Sequence, residues 1–376
     1  MEFSELTEGH LKFRQEIREF VEKNITPLAM EIDRKSEFPS EIIKQMGQRG
    51  YLGIPYPKEY GGLGLDVLSY AIGVEEVSKV CASTGITMAA HCSLGAYPVY
   101  LVGTDSQKEK FLVPMVKGKV LGGFGLTETN AGSDAAATET TAKEVENNYL
   151  INGSKKFNTS GGVAGFFNIT ATHDKSKGVH GISAFIVERE RPGFSVGKEE
   201  DKLGLRGSNT VELIFEDCLV PKENLLGNKY EGFKVFMKTL DGGRISIGAF
   251  ALGIAQGALE ASVKYVREHS LKSQLVQKMI ADMSTEIEAA RHLVYHAAYL
   301  EDHHGAFTKE SAMAKLFASE VCLRAANFAI QIHGPEGLTK KYPVERFYRD
   351  GKLAEIGEGT SEIQRLVIAR QILGRY

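Results

Sequence analysis

The segment Tyr149-Leu-Ile-Asn-Gly-Ser-Lys-Lys-Phe157 decides the fold class, because it interrupts a chain that is otherwise patterned as helices. Its Asn152-Gly153 pair is a turn signal, and the runs on either side carry residues typical of strands. Three more strand-like runs follow, at residues 166–171, 182–187 and 211–215. Helical patterns of about 10–15 residues do not separate these runs, so residues 121–230 are predicted to form an antiparallel β domain.

Helical patterning occupies both sides of this β segment. Phe13, Ile17, Phe20 and Val21 form one apolar stripe at helical spacing, and Ser40 is the expected N-cap of the next helix. Further helices are predicted at residues 67–80, 84–102, 242–268, 273–302, 309–333 and 361–373.

These patterns predict an α+β protein that is mainly α. Residues 1–120 are expected to form an N-terminal helical domain, residues 121–230 the middle antiparallel β domain, and residues 231–376 a C-terminal helical bundle. The chain is 43% hydrophobic, which is enough for a large core and for more than one folding unit.

Two of the predicted helices have an unusual composition. The helix at 242–268 has glycine, alanine or serine at many positions, which permits either close helix packing or the close approach of a flat ligand. The helix at 84–102 is nearly uncharged and is therefore expected to be buried. His91 lies on it, and a core or interface histidine is its expected role, near side chains that can line a pocket.

Composition excludes several classes of function. A formal net charge of −3 provides no electrostatic footprint for nucleic acid. Ile245–Leu259, the longest weakly charged stretch, is too short to span a membrane, and the N-terminus lacks signal-peptide composition. The cysteines have no paired spacing, which predicts a reducing compartment, the cytoplasm, and neither a disulfide framework nor a metal site. They are Cys81, Cys92, Cys218 and Cys322.

Glu358 stands between two glycines just before the last predicted helix. Ser361 and Gln364 have the spacing of a capping box for that helix. Glycine on both sides allows the backbone to bend and another molecule to approach closely. A glutamate shielded from water there can serve as a proton-transfer base with a raised pKa. The alternative is a solvated loop acid at a helix N-terminus.

The segment Phe124-Gly-Leu-Thr-Glu-Thr-Asn-Ala-Gly-Ser-Asp134 opens the predicted β domain. Its hydroxyl side chains and exposed backbone can hydrogen-bond a flat polar ring and a phosphate. The same composition also fits an ordinary turn rich in Asn and Asp. The segment is not a dinucleotide fingerprint, because no G-x-G-x-x-G stands between a strand and a helix.

From end to end, the chain resembles the acyl-CoA dehydrogenases. Several separated motifs in the right order carry this resemblance. They are Leu126-Thr-Glu-Thr-Asn-Ala-Gly-Ser-Asp134, Lys156-Phe-Asn-Thr-Ser160, Lys202-Leu-Gly-Leu-Arg-Gly-Ser208, Phe215-Glu-Asp217 with Val220-Pro221, Leu240-Asp-Gly-Gly-Arg244, and Tyr348-Arg-Asp350 with Glu358-Gly-Thr-Ser361.

The resemblance implies a homotetrameric flavoprotein whose FAD lies between the β domain and a C-terminal four-helix bundle. Thr127 and Thr159 would hydrogen-bond the flavin ring, Phe157 would lie against it, and Ser133 would lie near the pyrophosphate or the thioester. The other positions that match cofactor contacts are Phe124, Leu126, Thr360 and Glu362, together with Gln331 and Gly334, which in the family contact a neighbouring subunit's FAD.

The resemblance also makes Glu358 the catalytic base that removes the α-proton of an acyl-CoA thioester. Some relatives carry the base on the long glycine-rich helix instead, at the position of Gly243, which cannot serve. Asp241 and Arg244 match residues that contact CoA or organise the base, with a helix N-cap and a solvated arginine as the alternative. By the same resemblance, Gly357 and Gly359 would lie beside the acyl group of the substrate.

The chain departs from the family pattern at three places. Gly357 replaces an aromatic residue that many members place before the base, which leaves room for a branched or cyclic acyl group. Residues 267–274 lack the Arg-x-x-Phe-Gly segment that reaches a neighbour's FAD. Pro335-Glu336 interrupts what is usually a Gly-Gly turn.

The resemblance implies oxidation of an acyl-CoA, with the electrons passed to an electron-transfer flavoprotein. The same residues can also catalyse the reverse reaction, enoyl-CoA reduction. A third interpretation is a flavin monooxygenase or a cofactor-free binding protein of the same fold, which the presence of Glu358, Thr127 and Thr159 disfavours.

Overall fold

A computed structural model describes residues 6–374, and its N-terminal part is helical as predicted. In α1, Phe13, Ile17, Phe20 and Val21 are all buried, and Thr7 caps the helix by accepting the backbone N–H of His10 at 3.3 Å. The helices of this part are α1 Glu8–Asn24, α2 Ala29–Lys35, α3 Ser40–Gln48, α4 Val67–Val80, α5 Ala82–Ala90, α6 Tyr97–Val102, α7 Asp105–Gln107 and α8 Val113–Val116.

The helix predicted at 84–102 is helical throughout but contains a wide turn. Its His91–Ala96 segment is a π-helix between α5 and α6. Asn168 donates its side-chain N–H to the carbonyl oxygens of Leu94, at 3.2 Å, and Gly95, at 2.7 Å. Such wide turns are often found at functional sites.

His91 is a core histidine. Its Nδ1 accepts the backbone N–H of Gly122 at 3.1 Å, so its Nε2 donates to the carbonyl of Met115 at 3.1 Å. Burial lowers the pKa of His91 to about 4, so the imidazole is neutral and serves packing rather than proton transfer.

The middle part is a β domain, as predicted; its strands form a single sheet with two departures from antiparallel pairing. Its strand order is β6-β7-β3-β2-β4-β5-β8, and β1 pairs with β4. The pairing of β1 with β4 is parallel, and β2 also meets β4 in parallel at Thr141 and Thr172. The strands are β1 Gly122–Gly125, β2 Thr141–Val145, β3 Asn148–Thr159, β4 Phe166–Thr172, β5 Ile182–Glu188, β6 Phe194–Glu199, β7 Thr210–Pro221 and β8 Leu225–Leu226.

The prediction of a turn at Asn152-Gly153 is wrong. Strand β3 continues through both residues and has a bulge there, where Gly153 takes a φ of +142°. A side chain at Gly153 would approach Thr140 Oγ1 to 2.7 Å. Glycine therefore serves a bulge at this position, and the chain reverses instead at Glu146, which has a φ of +48°.

The C-terminal part is a helical bundle, and its longest helix starts at Gly232 rather than at the predicted Gly242. The small residues of this helix allow close packing: a Cβ at Gly253 or Gly257 would overlap backbone oxygens of Glu75 and Lys79 in α4. The helices are α9 Gly232–Glu268, α10 Gln274–Asp302, α11 Thr308–His333, α12 Val344–Gly351, α13 Leu353–Ile356 and α14 Ser361–Leu373.

Within residues 6–374, α9 is the one helix long and apolar enough to cross a membrane by length and composition. However, 78% of its most apolar window is buried inside the protein. Neighbouring helices cover this apolar surface, so its hydropathy is explained by its place at the centre of the bundle.

Two predicted helix caps are shifted by one residue. Ser40 is the first residue of α3, after Pro39 at the N-cap. In α14 the cap is Thr360, whose Oγ1 accepts the backbone N–H of Ile363 at 3.3 Å, and Ser361 is the first helical residue.

Candidate active site

Glu358 lies in the short loop between α13 and α14. Its φ is +54°, and that of Gly359 is +93°. A left-handed backbone is unfavourable for a residue with a side chain, and such strain concentrates at functional sites. Neighbouring groups must therefore hold Glu358 in this conformation.

Two side chains hold this loop by donating hydrogen bonds to its carbonyl oxygens. Lys315 of α11 donates from Nζ to the carbonyl oxygen of Gly359 at 2.6 Å. The side-chain N–H of Gln364 in α14 donates to the same oxygen at 2.9 Å and to the carbonyl of Glu358 at 3.2 Å. The predicted capping role of Gln364 is thus wrong, because its side chain fixes the loop that carries Glu358.

The carboxylate of Glu358 points at the Cα of Gly243 in α9. A Cβ at residue 243 would overlap Oε2 of Glu358 and would lie 3.3 Å from a methyl of Leu94. Oε2 is buried, and no hydrogen-bond partner for it exists among residues 6–374. A buried acceptor without a partner carries an energetic cost, so it needs a functional explanation.

Asp241 and Arg244 lie inside α9, one turn apart, and not at its start. This location excludes the alternative of an N-cap with a solvated arginine. Arg244 is 6% exposed and donates from Nη1 to Oδ1 of Asp241 at 2.5 Å. Thr308 donates to the other carboxylate oxygen of Asp241 at 2.8 Å. Arg244 is thereby a buried, fixed cation close to Glu358.

Burial raises the pKa of Glu358 to about 7, and the positive charges of Lys315 and Arg244 oppose this increase. The pKa of this carboxyl group therefore lies much nearer to neutral pH than that of an exposed glutamate. This is the range in which a carboxylate accepts and returns a proton most effectively.

The other predicted residues of this loop lie around Glu358. A Cβ at Gly357 would make ordinary contacts with Leu353 at 3.5 Å, so the position has room for a side chain, whereas one at Gly359 would approach the Gln364 amide to 2.8 Å. Thr360 caps α14, and Glu362 is exposed in its first turn.

On the β domain, the loop after β1 is held by a buried ion pair. Lys155 of β3 is fully buried, and its Nζ lies 2.6 Å from Oε1 of Glu128. Glu128 also accepts the hydroxyl of Thr138 at 2.6 Å and the backbone N–H of Thr140 at 3.1 Å. The backbone carbonyl of Thr127 accepts the N–H of Lys156 at 2.8 Å.

A second bulge in β3 displays the predicted flavin contacts. The register shifts between Lys155 and Asn158, and Phe157 between them has a φ of +56° and is 65% exposed. Thr159 follows, paired with Thr210 of β7. The hydrogen bond from Lys156 to Thr127 therefore brings Thr127 close to Phe157 and Thr159 at the C-terminal end of β3.

The π-helical turn contacts both the Glu358 region and the β sheet. The side chain of Leu94 faces Gly243 and Glu358, while its carbonyl is bound by Asn168 of β4. Next to it, Phe124 of β1 stacks on Phe236 of α9 with 4.2 Å between ring centroids. The π-helical turn thus contacts both the Gly243 region of α9 and strand β4.

The remaining predicted site residues differ in their surroundings. Leu126 is half-buried and its carbonyl receives Lys155 Nζ at 3.4 Å, whereas Ser133 is exposed. Gln331 and Gly334 lie at the end of α11, about 24 Å along the helix from Lys315. The structure therefore does not bring these last two residues to Glu358 within one subunit.

Sequence analysis did not identify Lys315 or the Lys155–Glu128 pair. Lys315 stands alone among small and apolar residues of a predicted helix, in the run Ala312-Met-Ala-Lys-Leu-Phe-Ala318. An isolated charge in such a run is a usable signal, because buried lysines are rare unless they are paired.

The C-terminal end of β3 fits a flat aromatic cofactor. Phe157 presents a large apolar ring to solvent, and Thr127 and Thr159 lie close to it along the backbone. Nearby, the side-chain oxygens Asn158 Oδ1 and Ser160 Oγ are buried without a partner in the described part of the chain. An isoalloxazine ring presents both an apolar face and polar edges, which match these groups.

Sequence comparison matches three consecutive family models. Residues 7–119 match the acyl-CoA dehydrogenase N-terminal domain, 123–218 the middle domain and 230–373 the C-terminal domain. A short-chain specific acyl-CoA dehydrogenase of Clostridium acetobutylicum is 51% identical over 378 residues, covering 99% of this chain and 100% of the relative.

One more relative and one solved structure match this chain over nearly their full length. An acryloyl-CoA reductase (NADH) of Anaerotignum propionicum is 49% identical over 383 residues, covering 100% of this chain and 97% of that protein. A chain in the solved structure described as the electron transferring flavoprotein of Acidaminococcus fermentans superposes with a TM-score of 0.98, at 50% identity and full coverage of both chains.

Proposed function

Because this chain belongs to the acyl-CoA dehydrogenase family, we propose that it oxidises a short acyl-CoA thioester to the trans-2-enoyl-CoA with FAD. The observation that carries this proposal is the buried, unpartnered Oε2 of Glu358, which faces Gly243. The proposed domains span residues 1–120, 121–230 and 231–376.

When bound, FAD would supply the redox chemistry as the acceptor of the hydride that leaves the substrate Cβ. Glu358 removes the α-proton, so the substrate loses one proton and one hydride as its Cα–Cβ double bond forms. The carboxyl group can hold this proton because its environment raises its pKa to about 7. Positively charged Arg244 lies close to the reacting end and keeps part of the Glu358 population ionised.

The β domain would hold the flavin. Thr127 and Thr159 would donate hydrogen bonds to polar edges of the ring, Phe157 would cover part of its surface, and the Lys155–Glu128 pair would fix the loop. Phe124, Leu126 and Ser133 complete this side, and Thr360 and Glu362 approach it from α14. Gln331 and Gly334 would contact the FAD of another subunit.

The acyl group is proposed to be short, branched or cyclic. Gly357 leaves space beside Glu358 where a side chain could stand, and one relative is named as short-chain specific. Asp241 and Arg244 would organise the base and the thioester end of CoA, and Gly359 would allow the substrate to approach the backbone closely.

The proposal is tested by the absorption spectrum of purified protein, followed by anaerobic titration with a panel of acyl-CoAs. We expect one FAD per chain and rapid bleaching by short substrates. Protein that remains colourless after incubation with FAD would contradict the cofactor and the reaction together.

A second candidate is the reverse reaction, in which Glu358 returns a proton to Cα of an enoyl-CoA. The 49% identity to an acryloyl-CoA reductase favours it. Turnover of acyl-CoA with an electron-transfer flavoprotein, compared with NADH-driven reduction of a short enoyl-CoA, distinguishes the two directions.

We further propose that the enzyme is a cytoplasmic homotetramer that uses an electron-transfer flavoprotein as its partner. Large apolar side chains of the last helix are exposed in the single chain, as expected for a surface covered by another subunit. They include Leu366, Ile372 and Leu373 at 50%, 64% and 59% exposure. All four cysteines are buried and free, as a reducing compartment would leave them. Light scattering of the purified holoenzyme tests the tetramer.

A further inference from the structure

Lys315 is a fully buried lysine whose role no motif assigns. Its side chain lies on α11, and its Nζ donates to the carbonyl oxygen of Gly359 at 2.6 Å. A buried ammonium group is costly unless charges or hydrogen bonds compensate it. The residue next to its acceptor is Glu358, so the compensation occurs at the proposed base.

We infer that Lys315 is a positioning residue that holds the Glu358 loop through the Gly359 carbonyl and whose charge sets the pH range in which Glu358 can accept a proton. This inference depends on the proposed function, because it assumes that Glu358 is the base.

The backbone conformation supports the positioning part of this inference. Glu358 and Gly359 are both left-handed, with φ values of +54° and +93°. The hydrogen bonds from Lys315 and Gln364 converge on the Gly359 carbonyl. Holding that carbonyl fixes the peptide that follows Glu358, and therefore the direction in which its side chain leaves the loop.

The surrounding charges support the electrostatic part. Lys315 is surrounded by Glu358 of the loop, Arg244 of α9, Glu355 of α13 and Glu362 of α14. Among these acids, Glu358 is the one whose Oε2 is buried without a hydrogen-bond partner among residues 6–374. The charge of Lys315 therefore acts most strongly on Glu358, because shielding from solvent strengthens the interaction between charges.

The charged and titratable groups around Glu358 also support the electrostatic part of the inference. Lys315 and Arg244 favour its ionised form, and Asp241 is paired with Arg244. Burial raises the pKa of Tyr70 of α4, and the charge of Glu358 adds to this increase. Burial lowers the pKa of Lys315 itself to about 8. The negative charge of Glu358 opposes this decrease, so loss of the Glu358 proton favours the charged form of Lys315.

Three variants of the holoenzyme test this inference. Lys315→Met removes both the charge and the hydrogen bond, Lys315→Gln keeps a donor without the charge, and Lys315→Arg keeps the charge. The readouts are the pH dependence of anaerobic flavin reduction by a short acyl-CoA and infrared titration of the protonated Glu358 carboxyl band. Arg324→Met, which removes an exposed cation of the same helix that pairs with Glu286, is the matched control.

We expect Lys315→Met and Lys315→Gln to shift the rise in rate, and the infrared titration, upward by at least about one pH unit. Lys315→Arg and Arg324→Met should leave both unchanged. If Lys315→Met does not fold, the Gln and Arg variants decide the question. A uniform loss of rate in Lys315→Met or Lys315→Gln with unchanged titration would overturn the inference and leave Lys315 as a packing residue.

Glu358→Gln separates this inference from the proposed function. If the pH-dependent rise and the carboxyl band vanish in Glu358→Gln but do not move in the two uncharged Lys315 variants, the inference alone fails. If the rise persists in Glu358→Gln, Glu358 is not the base and the proposed function fails.

Discussion

The carboxylate of Glu358 occupies the space into which a side chain at Gly243 would project. A Cβ at residue 243 would overlap Oε2 of Glu358. Two distant segments, the loop before α14 and the middle of α9, therefore present one position for a base. Glycine at 243 is required by the glutamate at 358, and this relationship leads directly to the first prediction.

Moving the carboxylate to the helix should preserve part of the activity. In the double variant Glu358→Gly with Gly243→Glu, the new side chain enters the space that the old one leaves. We expect anaerobic flavin reduction to exceed that of Glu358→Gly alone by about tenfold or more, since general-base catalysis contributes about 10²–10⁴-fold. The matched control is Glu358→Gly with Gly242→Glu, because Gly242 faces Glu301 instead. Equal rates in the two double variants would contradict the shared position.

Ionisation of Glu358 should destabilise the folded protein. Its pKa is raised from 4.5 to about 7 on folding, so the folded state binds this proton more tightly than the unfolded chain. The stabilisation is present below pH 4.5 and is lost as the pH rises from 4.5 to 7. A shift of this size corresponds to about 3 kcal/mol. The melting temperature of the wild type, relative to that of Glu358→Gln, should therefore fall as the pH rises across this interval. A difference in melting temperature that does not change with pH would contradict this prediction.

Arg244→Met should impair both catalysis and stability. It removes a cation that favours ionised Glu358, and it leaves the half-buried Asp241 carboxylate without its ion-pair partner. Breaking a fully buried pair costs about 3–5 kcal/mol, and the partial exposure of Asp241 makes the expected loss of stability smaller. The control is Arg244→Met combined with Asp241→Asn, which should recover much of the melting temperature while flavin reduction stays slow. Normal kinetics in the single variant would show that Arg244 has no part in the reaction.

Gly357→Tyr should narrow the acyl pocket. A Cβ at this position meets Leu353 at an ordinary 3.5 Å, so the substitution is compatible with the fold. We expect the ratio of kcat/KM for branched or cyclic acyl-CoAs to that for slim straight chains to fall by about 10-fold, the size of a lost apolar contact or two. A wild type that prefers long straight chains and does not oxidise branched or cyclic thioesters would contradict the pocket assignment.

The sequence predicted the three-part helical and β organisation because it depends on periodicity that each segment carries by itself. Local chemistry was less reliable where tertiary contacts decide between similar choices. Asn152-Gly153 fits a turn, but pairing of β3 with β7 continues through it as a bulge. Thr360 rather than Ser361 caps α14, because the strained backbone of Glu358 and Gly359 sets where the helix begins.

The candidate site was predictable where a motif matched and not where the partner lies on another helix. Glu358 and Arg244 followed from motifs of the family. The contact of Lys315 with Gly359 joins residues far apart in the chain, and no local pattern encodes such a pair. The placement of Asp241 and Arg244 inside α9 depended on where that helix starts, which is the least certain feature of a periodic pattern.

The measurement that tests the central claim most directly is anaerobic flavin reduction of Glu358→Gln by a good short-chain acyl-CoA. Glutamine keeps the size of the side chain but cannot accept a proton at neutral pH. We predict a rate lower than wild type by about 10²–10⁴-fold or more, with FAD content and acyl-CoA binding nearly unchanged. Reduction within a few-fold of wild type would contradict the claim, because the α-proton would then be removed by a group other than Glu358.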